Sequence, residues 1–129
     1  MSNQSDCFLC KLPSERIIAE CKLTYTIRDG YELSPGHSLI LPKRHMPTFF
    51  DVTVDEQAAL FAAIQQAKQE LDREFSPDGY NIGINNGEFA GQSIPHLHIH
   101  LIPRYRGDVE NPKGGVRWAL PERADYWTK

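Results

Sequence analysis

Three histidines occupy alternate positions in His96-Leu97-His98-Ile99-His100-Leu101-Ile102, and two more, His37 and His45, lie close together upstream. These are all five histidines of the chain. On an extended backbone successive side chains point to opposite faces, so His96, His98 and His100 would share one face, about 6–7 Å apart, with Leu97, Ile99 and Leu101 on the other. An imidazole near neutral pH can bind a metal, move a proton or attack an electrophile. Two readings follow: a metal site built on His-x-His, or a nucleophilic histidine flanked by helpers. The spacing does not separate them.

The loop before this stretch adds to the chemistry. Gly87 and Gly91 permit backbone angles that turn amide N–H groups toward one point. Asn85, Gln92 and Ser93 add neutral donors. Such donors beside imidazoles suit phosphate oxygens and the negative charge that develops at phosphorus. A further constellation is Cys7-x-x-Cys10, which alone is a redox pair, a coincidence or half of a metal site. Tetrahedral zinc needs two more ligands, and His45 and His96, one from each histidine stretch, are the candidates. A Cys₂His₂ zinc would staple the N-terminal segment to the sheet. Cys21 fits no such pattern and is expected to be a small buried hydrophobe.

The elements that must position these groups are also legible. Residues 16–20 and 23–28 are rich in β-branched and aromatic side chains and predict two strands, with a turn near Cys21-Lys22. A loop over 29–36 leads to a third strand at 37–42. The clearest helix is 54–75, where Leu60, Ile64, Ala67, Leu71 and Phe75 form an apolar stripe with Phe61 beside it. Thr53 and Glu56 make a capping-box pattern at its start, and Ser76-Pro77-Asp78-Gly79 ends it. Strands are predicted at 80–86 and 96–102, the latter closed by Pro103-Arg104, and the remainder reads as an irregular wrap. Five strands and one long helix without βαβ alternation indicate an α+β fold with a mainly antiparallel sheet. The strand order is not legible.

With 129 residues and 40% apolar content the chain has the size and core of one domain. A net charge of −3 argues against nucleic-acid binding through a basic footprint. Residues 104–129 carry six Lys/Arg against four Asp/Glu, a local surplus in an otherwise acidic chain. No run approaches the roughly 20 apolar residues of a membrane span. The opening MSNQSD shows no signal-peptide pattern, and the expectation is a soluble cytoplasmic protein without membrane contact.

The segment His96–Ile102 resembles the His-φ-His-φ-His-φ-φ signature of the histidine triad (HIT) family, φ being apolar. GHSLILPKRH (36–45) and GYNIGINNGEFAGQSIPH (79–96) are similar to two further signature stretches of that family, in the right order. The resemblance covers about residues 7–106, so the chain is expected to be a single HIT domain with a C-terminal extension at 107–129. It implies a homodimer in which two five-stranded sheets join, and hydrolysis or transfer at a nucleotide's α-phosphate. It also implies a nucleotidyl-histidine intermediate on His98, with His100 at the α-phosphate and His37 supporting the triad. Asn85, Gln92 and Ser93 fall where the family holds phosphate oxygens, and Asp29 where it binds ribose hydroxyls. A subset of the family is similar in binding zinc through residues matching Cys7, Cys10, His45 and His96. There the metal would orient the triad strand and would not be the catalyst.

The branch of the family is a separate question. Ser93 resembles the members that cleave adenosine phosphoramidates, whereas Ile102-Pro103-Arg104 resembles those that cleave diadenosine polyphosphates. The expectation is the second, with Arg104, Tyr105 and Arg106 available for extra phosphates. A uridylyltransferase is disfavoured because Leu97 stands where those enzymes carry proline. Two alternatives from other classes are a nucleotide-binding scaffold with incidental turnover and a zinc-dependent hydrolase. Trp118, Tyr126 and Trp127 give the extension enough aromatic surface for a dimer contact, a base-stacking lid or packing on its own sheet.

Overall fold

The structure is a computed structural model and describes residues 6–128. Its strands are β1 (Ile17–Glu20), β2 (Thr24–Arg28), β3 (Ser38–Pro42), β4 (Gly79–Ile84) and β5 (Ile99–Arg104). They form one five-stranded sheet in the order β1-β2-β3-β5-β4, with every pairing antiparallel. The helix α1 spans Val54–Phe75, as its periodicity predicts. Its start carries the capping box: Thr53 accepts from the Glu56 N–H, and Glu56 accepts from the Thr53 N–H. Ser76 ends the helix in the left-handed region, at φ 50°.

The sheet has two different faces. Toward α1 it presents Ile40, Ile99 and Leu101, which together with Leu97, just before β5, pack on Leu60, Ala63, Ala67 and Leu71 in one core. On the far side Ile27, Leu39 and Leu41 pack with Cys7 and Leu9 in a second, smaller core. The even-numbered histidines lie away from α1, as alternation requires. Gly36, at φ +93°, lets the chain pass close to α1 before β3: a Cβ there would lie 2.8 Å from Leu71 Cδ2.

Several expectations are corrected. The last strand is not 96–102 but Ile99–Arg104. The Leu97 N–H bonds to the Met46 carbonyl and the His96 N–H to that of Ile94, so His96–His98 lies outside the sheet ladder. Pro103 stays within the strand because its carbonyl accepts from Ser34 Oγ at 2.6 Å, on the side beyond the end of β3. Its missing N–H therefore breaks no ladder bond. Phe61 is not on the buried stripe; it is half-exposed, and Ala63 takes the packed position. Cys21 is exposed, since it begins the tight β1–β2 turn, with its Sγ 3.7 Å from Gln66 Oε1.

The extension is more regular than an irregular wrap, with a 3₁₀ turn at Gly115–Ala119 and a short helix, α2, at Pro121–Ala124. Cation–aromatic contacts close it on itself: Arg117 lies 4.6 Å from the Tyr126 ring and Lys113 4.8 Å from that of Trp127. Among the described residues no helix is long and apolar enough to cross a membrane.

Candidate functional site

β3 and β5 are neighbours, with Leu39 opposite His100, and this brings His37, just before β3, onto the same face as the triad. The rings form a connected row: His37 and His100 have centroids 5.2 Å apart, His98 and His100 5.3 Å. Their protons follow from their partners. The Leu33 backbone N–H can only donate, and at 3.0 Å it meets His37 Nδ1, which is therefore the acceptor nitrogen. His37 then carries its proton on Nε2 and donates to His100 Nδ1 at 3.0 Å. That leaves the His100 proton on Nε2. A carbonyl can only accept, so His98 Nδ1, 2.8 Å from the His96 oxygen, carries the proton and His98 Nε2 keeps its lone pair.

Electrostatics maintain the neutral forms at the supporting positions. Burial, helped by the neighbouring His98 and His37, pushes His100 down to about 4, against a small opposing pull from Asp29. Burial also lowers His37, although Asp29 and Glu32 oppose it. The Asp29 carboxylate sits beside both, with Oδ2 3.5 Å from His37 Nε2 and Oδ1 accepting from the Tyr31 N–H at 2.8 Å.

His98 and His100 open onto a cavity of about 700 Å³. Asp29, Asn85 and Ser93 line it with them, while Leu9, Ile27 and Leu39 give it an apolar wall. Gln92 is not brought to this cavity. Its Nε2 donates to the Pro47 and Ile94 carbonyls and its Oε1 accepts from the Gly87 N–H, so it braces the loop. Arg104 is likewise engaged elsewhere, donating twice to Asp108 and once to Asn81. The Tyr105 hydroxyl donates to the Pro35 carbonyl. Phe8, Leu9 and Arg16 line the cavity without having been singled out in the sequence; the only signal available was that Phe8 and Leu9 fall inside Cys7-x-x-Cys10.

The second cluster is convergent. Ligand atoms of Cys7, Cys10, His45 and His96 all lie within 4.8 Å of one another. His96 Nδ1 is 3.4 Å from each sulfur and 3.2 Å from His45 Nδ1, which is itself 3.2 Å from Cys10 Sγ. A tetrahedral centre with zinc's bond lengths, about 2.3 Å to sulfur and about 2.0–2.1 Å to nitrogen, has edges of about 3.3–3.8 Å. The donor set fits such an ion in chemistry and in scale. His96 is prepared for it, because its Nε2 donates to the Pro42 carbonyl at 2.9 Å and leaves Nδ1 as the lone-pair nitrogen. Burial and the adjoining Cys7 thiol push Cys10 up to about 11, the behaviour of crowded sulfurs that a cation reverses.

Comparison with known proteins agrees with this architecture. A family model for the HIT domain matches residues 12–107. The chain is 34% identical over 102 residues to an asymmetrical bis(5'-nucleosyl)-tetraphosphatase of Schizosaccharomyces pombe, covering 78% of this chain and 56% of that protein. It is 38% identical over 94 residues to an AP-4-A phosphorylase of Mycobacterium tuberculosis, covering 72% and 48%. The chain thus spans about half the length of these curated relatives. Among solved structures, a Zn-bound histidine triad family protein from Mycobacterium smegmatis aligns with a TM-score of 0.73 at 30% identity, over 82% of this chain and 80% of that one. With its five-stranded antiparallel sheet, single long helix and matching family model, the chain belongs to the HIT family.

Proposed function

We propose that this chain is a nucleotide hydrolase that acts at the α-phosphate of a dinucleoside polyphosphate through a covalent nucleotidyl-His98 intermediate. The observation that carries the proposal is the proton arrangement: a lone pair on His98 Nε2 and an N–H on His100 Nε2, both on residues lining one cavity. In this reading His98 Nε2 attacks the α-phosphorus and displaces the distal nucleotide. His100 Nε2–H stabilises the negative oxygens as charge develops, and His37 keeps it neutral and oriented. Water then cleaves the P–N bond to His98 and releases a nucleoside monophosphate. Asn85 and Ser93 fit phosphate oxygens at the cavity wall, Asp29 fits ribose hydroxyls, and Gln92 acts by shaping the loop. The names of the relatives support a dinucleoside polyphosphate as the substrate.

Cys7, Cys10, His45 and His96 would hold zinc, which when bound supplies a structural cross-link. The zinc-bound structural relative supports that assignment. His96 also serves catalysis by offering its carbonyl to His98. We read the chain as one HIT domain with an extension after about residue 106. Its β4 edge, where Ile82 and Phe61 are half-exposed, is suited to antiparallel pairing with a second copy, giving a homodimer. A cytoplasmic setting fits a thiolate metal site, which needs reduced cysteines.

The test is monophosphate release from diadenosine tetraphosphate and from an adenosine phosphoramidate by wild type and His98→Ala, with and without a chelator. Release that survives the chelator and is lost in His98→Ala supports the proposal, and faster cleavage of the tetraphosphate supports the substrate class. Faster phosphoramidate cleavage would move the chain to the P–N branch. Binding without turnover of either would make it a scaffold.

A further inference from the structure

Among the described residues Glu56 is the one acidic side chain that is buried, 5% exposed, and it belongs to neither histidine cluster. Two tasks meet on it. Its Oε1 caps α1 by accepting from the Thr53 N–H at 2.9 Å. The same carboxylate takes both arms of one guanidinium: Arg44 Nε donates to Oε2 at 2.9 Å and Nη2 to Oε1 at 2.8 Å. A capping box needs only a Glu or Gln oxygen, so the cap does not account for the fork. Arg44 Nη2 also donates to the Asp51 carbonyl at 3.0 Å. One side chain thus closes the segment 43–53 on itself and fastens it to the first turn of α1.

That segment, between β3 and α1, supports the triad residues. His45 lies in it and is part of the metal cluster. The Met46 carbonyl accepts from the Leu97 N–H at 2.8 Å, and the Pro47 carbonyl from Gln92 Nε2 at 2.6 Å. Leu97 stands between His96 and His98, before β5 begins, and the His96 carbonyl fixes the proton on His98 Nδ1. Apolar packing of Met46, Phe49 and Val52 presses the segment on the core but gives its carbonyls no direction. The planar fork does, because its paired bonds to Glu56 and its bond to Asp51 require one orientation.

We infer that Arg44 and Glu56 are a positioning pair for both histidine clusters: the fork directs the 43–53 segment, and through it places His45 at the metal cluster and the His96 carbonyl that orients His98. Neither residue lines the cavity, so the pair acts on the chemical step and on metal affinity, and substrate affinity is untouched. Its effect on turnover rests on the reading of His98 as the nucleophile; its effects on the metal and on the His98 proton do not.

The experiment compares Arg44→Ala, Glu56→Gln and Arg44→Lys with Thr53→Ala, which removes the acceptor of the Glu56 N–H and leaves the fork intact. Glu56→Gln keeps an oxygen for the Thr53 N–H but sets an amide NH2 against the Arg44 Nε–H. Competition with a chromogenic chelator reads zinc affinity, nitrogen NMR of the imidazoles reads the His98 tautomer, and circular dichroism reads melting. Turnover is measured on diadenosine tetraphosphate at saturating zinc. Arg44→Ala and Glu56→Gln should weaken zinc by about 10- to 100-fold and lower kcat by about the same factor, with KM unchanged. In both, the Nδ1–H form of His98 should give way to a mixture with Nε2–H. Arg44→Lys keeps the charge without the fork, so it should recover melting while kcat and zinc affinity stay low. Thr53→Ala should lower melting alone. Variants of the pair that differ from wild type in melting only, or full recovery of kcat and zinc affinity in Arg44→Lys, would overturn the positioning role. If Arg44→Ala does not fold, Glu56→Gln and Arg44→Lys decide the matter. Absence of turnover in wild type would sink the nucleophile reading instead, and zinc affinity and the His98 tautomer would still test the pair.

Discussion

His96 and His98 stand two residues apart on the same face, yet they present opposite nitrogens to their surroundings. His96 gives Nε2–H to the Pro42 carbonyl and turns Nδ1 to the sulfurs. His98 gives Nδ1–H to the His96 carbonyl and keeps a lone pair on Nε2 beside the cavity. One cluster gathers lone pairs around a point, as a cation requires; the other passes protons from donor to acceptor in a row. The residue type is common to both. The backbone carbonyl that each ring meets decides whether it can serve as ligand or nucleophile.

This contrast can be broken deliberately. His98→Ala should reduce monophosphate release by about 10⁴-fold or more, because no neighbouring ring has a free lone pair to replace it. The same variant should keep its chelator-sensitive melting, since the other cluster is intact. Removing zinc, or making His45→Ala, should act on stability, lowering Tm by on the order of 10 °C in a thermal melt. His45→Ala should then melt alike with and without chelator. If both clusters responded alike to both changes, the division of labour would be wrong.

Milder changes sharpen the contrast. His37→Leu removes the donor to His100 Nδ1 and should lower kcat by about 10–100-fold, the range for groups that orient an active residue. Zinc content, measured by metal analysis, should be unchanged. The smallest effect is one of pH. His100 is held near 4 in the folded protein against an ordinary 6.5, so between these values the unfolded chain binds more protons. Stability contributed by neutral His100 is complete above about pH 6.5 and is lost as pH falls toward about 4. His100→Gln should reduce the slope of denaturant-melt stability across that window, leaving the share of His37, which burial also lowers. It should leave the further decline below 4.5, where Arg44 holds Glu56 down to about 2.

What the sequence revealed follows from how local each signal is. The helix boundaries were legible because both cap and stripe lie within α1 and its flanks: Thr53, Glu56 and Ser76 each act on their neighbours. The facing of His96, His98 and His100 was legible because alternation is a property of any extended backbone. The strand order was not, because β5 inserts between β3 and β4 through contacts distant in sequence. Nor could Gln92 be separated from Asn85 and Ser93, since its partners are the carbonyls of Pro47 and Ile94. Backbone atoms carry no residue code, so the Leu33 N–H and Pro42 carbonyl that fix two ring tautomers were invisible too.

The position of β5 has a consequence for how the molecule comes into being. Among the described residues the last strand to be made is an interior strand, so β3 and β4 lack the partner they share until residues 99–104 have emerged. Cys7 and Cys10 wait as well, since His96 lies 89 residues beyond Cys7. During synthesis three of the four residues proposed to hold zinc, Cys7, Cys10 and His45, are made before the fourth, His96. The fourth of these residues and the interior strand of the sheet both come from the short stretch of residues 96–104.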